Sequence, residues 1–169
     1  MGHYAAGLSV PVRYLETVLI EPISDGSFEV KILNWQHRML ESLIPEIREL
    51  LVTGNSPSIR RLFPTAYPND PDADASYQEL VHDELLDSLL TALDRVECNL
   101  GTSHLSQTEL HQWMQAINSI RLVVGTRLDV SEDDDPSTVL DETNPDRQLW
   151  LMYQLLTEML SIIVNALDS

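Results

Sequence analysis

Apolar residues along this chain follow two spacings. Between residues 15 and 33 two short runs, Leu15–Glu21 and Ser27–Leu33, are rich in Val, Ile, Thr and Phe and flank Pro22, Ser24, Asp25 and Gly26. Such runs on either side of an Asp-Gly turn predict a β-hairpin over 15–33. From residue 34 the spacing changes to three and four. Leu40, Leu43, Ile44, Ile47, Leu50 and Leu51 form one face of a helix over about 34–52, with Asn34 as its cap and Gly54 and Pro57 past its end. Leu86, Leu89, Leu90, Leu93 and Val96 predict a second helix over about 74–99, stopped at Gly101. Leu110, Trp113, Ile117, Ile120 and Val124 predict a third over about 106–128, opened by the capping box Ser106-Gln-Thr-Glu109.

The last helix, over about 145–167, takes Asn144 and Pro145 as cap and first residue. Its polar stripe is narrow: Gln154, Thr157, Glu158, Ser161 and Asn165. A helix apolar over most of its circumference is either central in its domain or part of an oligomer contact. Residues 55–74 carry four prolines and read as a long link, and 129–146 read as an acidic, proline-bounded loop. Residues 1–14 read as a flexible N-terminal arm. The expectation is one mainly α domain over 15–169, a four-helix bundle preceded by a short N-terminal β-hairpin.

Charge narrows the range of partners. Twenty-seven acids oppose ten bases for a net charge of −17, and nine of the ten bases are Arg. A phosphate backbone or an anionic membrane surface would be repelled, so neither nucleic acid nor membrane is expected as a partner. A basic protein partner, or simple solubility, suits the charge. Cys98 is the one cysteine, which leaves no intramolecular disulfide. The N-terminus lacks a basic segment followed by a sustained apolar one, and no uninterrupted run approaches the roughly 18 apolar residues of a membrane span. These features predict a cytoplasmic protein.

Candidate chemistry centres on Arg121. At about 100° per residue, Leu110, Met114, Ile117, Val124 and Leu128 surround its direction on the third helix, so a charge points near the middle of an apolar face. A charge there must be paired or reach water. If the second and third helices form an antiparallel hairpin, residues 82–84 stand level with Arg121. The expectation is a bond from Arg121 to Glu79 or Asp83, with Asn118 and His82 nearby. Two readings remain open: an ion pair that fixes helix register, or a polar pocket for an anionic group.

Glu79-Leu-Val-His82 matches half of a di-iron bundle motif, but the chain holds no second Glu-x-x-His, and no metal is expected. Glu132–Asp135 lacks the spacing of an EF-hand loop. His104 and His111 lie near Glu109 without a nucleophile arrangement. Gly125-Thr126-Arg127 falls late in a helix, where the dipole is negative, so it does not cradle phosphate. No cofactor is expected. Arg60, Arg61 and Arg127 remain as possible contacts for an acidic partner.

Two stretches carry a family likeness. One is Arg60-Arg61-Leu62-Phe63-Pro64-Thr65-Ala66-Tyr67 followed by Asp70-Pro71. The other is Trp113 through Ala116-Ile117-Asn118, then Arg121-Leu122-Val123-Val124-Gly125-Thr126-Arg127-Leu128. The chain thereby resembles the actinobacterial domain-of-unknown-function family numbered twenty-seventeen, over residues 15–167. Where the family pattern has Gly after Thr-Arg-Leu, this chain has Asp129. The resemblance implies no catalytic residues. It does imply genes often placed near the adaptor of the Clp protease, and so a role linked to regulated proteolysis. Together these features predict a non-catalytic protein-interaction or regulatory domain. The alternatives are a homo-oligomer built through the last helix, and a small-molecule pocket or enzyme around Arg121.

Overall fold

A computed structural model describes residues 18–169. The expected arm over 1–14, and the first three residues of the expected hairpin, lie outside the described residues. Strands β1 (Leu19–Pro22) and β2 (Phe28–Lys31) pair antiparallel through the Asp25-Gly26 turn, with Leu19 opposite Lys31 and Pro22 opposite Phe28. Gly26 sits at φ +82°, and the Asp25 carboxylate accepts from both the backbone N–H and the hydroxyl of Ser27. Those two bonds, the side-chain one first, hold the Asp25 carboxyl below its ordinary value. A third strand, β3 (His104–Leu105), joins the other edge of β2, with Phe28 opposite Leu105 and Glu29 opposite His104. The predicted hairpin is therefore the larger part of a three-stranded sheet.

Helix α1 (Asn34–Thr53) buries Met39, Leu40, Leu43, Ile44, Ile47 and Leu51. Its cap is Leu33 and not Asn34: the Gln36 side chain accepts from the Leu33 N–H at 2.9 Å, so Asn34 falls inside the first turn. At the other end Gly54 takes φ +67°, and its N–H donates to Leu50 O. The proline-rich link contains a 3-10 helix, Pro57–Leu62, which buries Ile59 and Leu62.

Helix α2 (Pro71–Asn99) starts three residues before the predicted position. Asp70 accepts from the Ala73 N–H, and Pro71 occupies the first helical position, where its missing N–H is no loss. Helix α3 (Gln107–Arg127) opens on the predicted capping box. The backbone N–H of Ser106, its hydroxyl and the Asn99 amide all donate to Glu109 and hold its carboxyl below its ordinary value. The acidic loop includes a short helix α4 (Pro136–Val139). Helix α5 (Arg147–Leu167) starts two residues later than predicted, because Asn144 and Pro145 form a turn in which Asn144 Oδ1 accepts from the Asp146 N–H.

Helices α1, α2, α3 and α5 make the bundle, and α3 is its centre, packed against α5, α2, the 3-10 helix and α1. The sequence left the last helix either central in the domain or part of an oligomer contact. Helix α3 takes the central place because Ala116, Ser119, Gly125 and Thr126 are small and buried, which lets neighbours approach from several sides. Helix α5 turns Trp150, Leu151, Leu155, Leu156, Met159, Ile163 and Ala166 inward. By length and composition α5 also suits a membrane span. Here it lies against α3, and of its large apolar residues only Val164 is exposed, at 37%.

Candidate functional site

The segment Arg60–Tyr67 has two sides. Its arginines turn toward the end of α3, and its apolar residues turn toward the first half of α2. Each side builds a distinct surface.

On the first side lies an arginine seam. Arg121 Nη2 donates to Asn118 Oδ1 at 2.9 Å and Nη1 donates to Tyr153 Oη at 3.4 Å, with the guanidinium carbon 5.9 Å from the Tyr153 ring centroid. Its Nε is buried without a hydrogen-bond partner. Arg61 Nη2 donates to Val130 O at 3.3 Å. Gly125 makes this packing possible: a Cβ there would stand 2.9 Å from Tyr153 Cε2 and 3.6 Å from Arg61 Nη1. Arg121 thus lies against the Tyr153 ring and Arg61 reaches Gly125, and among the described residues neither has a carboxylate within ion-pair distance. Arg127 pairs with Glu46 at 2.7 Å, and Arg60 with Asp129 at 3.3 Å.

The expected Arg121 partners are corrected by this geometry. Glu79 and Asp83 are exposed and do not bond Arg121, while the half-buried His82 ring packs on Phe63 at 4.5 Å between centroids. The expected level along the helix axis holds. Gln115 Nε2 donates to Ser88 Oγ and Asn99 Nδ2 to Glu109 Oε1, a register that sets residues near 82 opposite 121. The direction differs. Arg121 follows Gln115 by six residues, so at about 100° per residue it points about 120° away from α2, toward α5. Of the predicted neighbours, Asn118 is the one the structure brings to Arg121. Tyr153, which the sequence reading missed, is 32 positions away and carried no signal besides its place on an amphipathic helix.

Asp129 stands at φ +52°, in the left-handed region that favours Gly. Val130 N–H donates to Gly125 O and Asp129 N–H to Thr126 O, the paired bonds of a Schellman ending. Asp tolerates this conformation better than most residues, so the turn forms without Gly.

The second side is apolar and acidic. Asp74 Oδ1 accepts from the backbone N–H groups of Ala66 and Tyr67, and Gln78 Nε2 donates to Pro64 O, which fastens the link to α2. Between them lies a cavity of about 150 Å³ lined by Phe63, Pro64, Tyr77, Val81 and Leu85, among others. Beside it Leu80 is 79% exposed and Tyr77 40%, and Tyr67 meets Tyr77 edge-on at 5.9 Å. The residues that α2 buries, Leu89, Ala92, Leu93 and Val96, all belong to its second half. Among the described residues no group of three or more His, Cys, Asp or Glu converges as metal ligands would.

Residues 21–167 match the model of the family described as Domain of unknown function (DUF2017). No curated protein and no solved structure matches the chain. The two stretches that carry the family likeness meet in space, because the 3-10 helix packs on α3.

Proposed function

With the chain a member of the DUF2017 family, we propose that it is a non-catalytic protein-interaction domain whose docking face is the first half of α2 together with residues 63–67. The observation that carries this reading is Leu80: a leucine 79% exposed, beside Tyr77 and an open apolar cavity, on a half-helix without core residues of its own. Isolated exposed leucines are ordinary, but contiguous apolar surface around a groove marks interaction sites. A cytoplasmic setting fits the exposed free thiol of Cys98. The proteolysis-linked setting implied by the family likeness is the first place to look for the partner.

The homo-oligomer alternative has less support, since α5 commits its apolar residues to the core and leaves Val164 exposed. A pocket around Arg121 has less support as well, because Asn118 and Tyr153 already occupy its guanidinium. The test is affinity capture from native lysate with the wild-type chain, Leu80→Asp and Val164→Asp, read by mass spectrometry alongside thermal melts. A stoichiometric partner lost with Leu80→Asp but kept with Val164→Asp, at unchanged melting temperature, supports the reading. Retention of that partner by Leu80→Asp overturns it.

A further inference from the structure

We infer that the occupant of the α2 face is a basic segment of a partner protein, an apolar anchor flanked by Lys or Arg about one helical turn away. This rests on the docking face argued above and adds the chemistry of what fills it. The chain from residue 62 to residue 94 contains eight acids, Asp70, Asp72, Asp74, Glu79, Asp83, Glu84, Asp87 and Asp94, and not a single Lys or Arg. These acids are not scattered around the helix. At about 100° per residue, Asp83, Glu84 and Asp87 all fall within about 60° of the direction of Leu80, with Asp83 and Asp87 on one flank and Glu84 on the other, between Leu80 and the apolar Tyr77 and Val81. On this face carboxylates and apolar side chains are interleaved around Leu80.

Several carboxylates among the described residues hold cations. Asp94 and Glu97 hold Arg48 at 2.7 and 2.6 Å, Glu46 holds Arg127, Asp129 holds Arg60 and Glu29 holds Lys31. Glu97 first, and then Asp94, raise the Arg48 guanidinium above its ordinary value. Among the described residues Asp83, Glu84 and Asp87 have no cation within ion-pair distance, and all three are exposed. A cationic occupant would relieve the mutual repulsion of these charges. A second copy of this chain would set one acidic row against another. A nucleic acid or an anionic membrane would be repelled as well. An apolar anchor with cations close beside it matches both the apolar and the acidic groups of the face, and such complementarity accelerates encounter and fixes register.

The test uses the full chain, labelled with nitrogen-15, and two synthetic peptides of equal length and apolar content. One is an amphipathic Leu/Lys helix former; in the other each Lys is Glu. The expected result is that the Lys peptide shifts the amide signals of Phe63, Tyr77, Leu80 and Val81, and that added salt weakens the binding. The double variant Asp83→Lys with Glu84→Lys is expected to lower its affinity about tenfold or more, whereas Asp133→Lys with Asp134→Lys in the acidic loop leaves it within about twofold. Equal losses from both double variants overturn the inference, since net charge alone would then explain the binding. Shifts at the same residues from the Glu peptide also overturn it, while leaving the docking face intact. Shifts confined to α5 or to the arginine seam overturn the docking face itself. No shift from either peptide overturns the basic occupant.

Discussion

The arginine seam and the free half of α2 are built from neighbouring stretches of one chain, yet they handle polar groups in opposite ways. In the seam Arg121 meets Tyr153 and Asn118, Arg61 bonds a backbone carbonyl, and Arg127 is paired with Glu46. On α2 both the apolar groups and the carboxylates face outward, with Leu80 among Asp83, Glu84 and Asp87. The first region is organised around the stability of the domain. The second contributes little to it. Substitutions should therefore be felt as stability in the seam and as binding on α2.

The largest effect is expected at Gly125. Gly125→Val drives side-chain atoms into the Tyr153 ring, which stands 2.9 Å from an added Cβ. Overpacking of this kind should cost about 2–3 kcal/mol in urea denaturation. A loss below about 0.5 kcal/mol would mean that α5 moves aside freely and the seam is not tightly packed.

A smaller effect is expected at the capping box that opens α3. Ser106→Ala should cost about 1 kcal/mol. Because the Glu109 carboxyl lies below its ordinary value of 4.5 in the folded chain, its contribution is complete above that pH. The contribution fades as pH falls through the lower folded value. Stability-against-pH curves for wild type and Glu109→Gln should converge in acid and separate above pH 4.5. Parallel curves would remove Glu109 from the account.

Asp129→Gly should stabilise the domain by roughly 0.5–1 kcal/mol, since Gly takes the left-handed position without the Cβ penalty. The exposed Arg60 pair that it removes is worth little. A net loss would show that this pair outweighs the strain. The smallest stability effect is expected on α2. Leu80→Ser should change the unfolding free energy by no more than about 0.5 kcal/mol. A loss above about 2 kcal/mol would show that the half-helix has a core of its own, and the contrast between the two regions would disappear.

The features read correctly from sequence are those with local causes. The Ser106 capping box, the Asp-Gly turn and the stripe of α1 each rest on side chains within one turn of one another. The axial register of α2 against α3 was also legible, because a short connection leaves an antiparallel pair little choice. What was lost is direction and distance. Arg121 was placed at the right height on the wrong side, since the composite apolar face of α3 does not say which neighbour covers which part. Tyr153 reaches it through a contact that only the folded bundle creates. The strand His104–Leu105 is too short for periodicity to register. The exposure of Leu80 was available in principle. It precedes Leu93 by thirteen residues, about 220° around the helix, and so lies away from the core stripe.

That short strand has a kinetic consequence. The contacts between α2 and α3 close through a tight connection and so form at little loop-closure cost. The pairing of Phe28 with Leu105 and Glu29 with His104 ties the N-terminal sheet to that connection across nearly half of the chain. Contacts of such high sequence separation tend to form late, after the helical hairpin. In stopped-flow measurements Leu105→Ala should therefore speed unfolding several-fold and leave the folding rate nearly unchanged, so that two residues of strand act as the latch on the native state's lifetime.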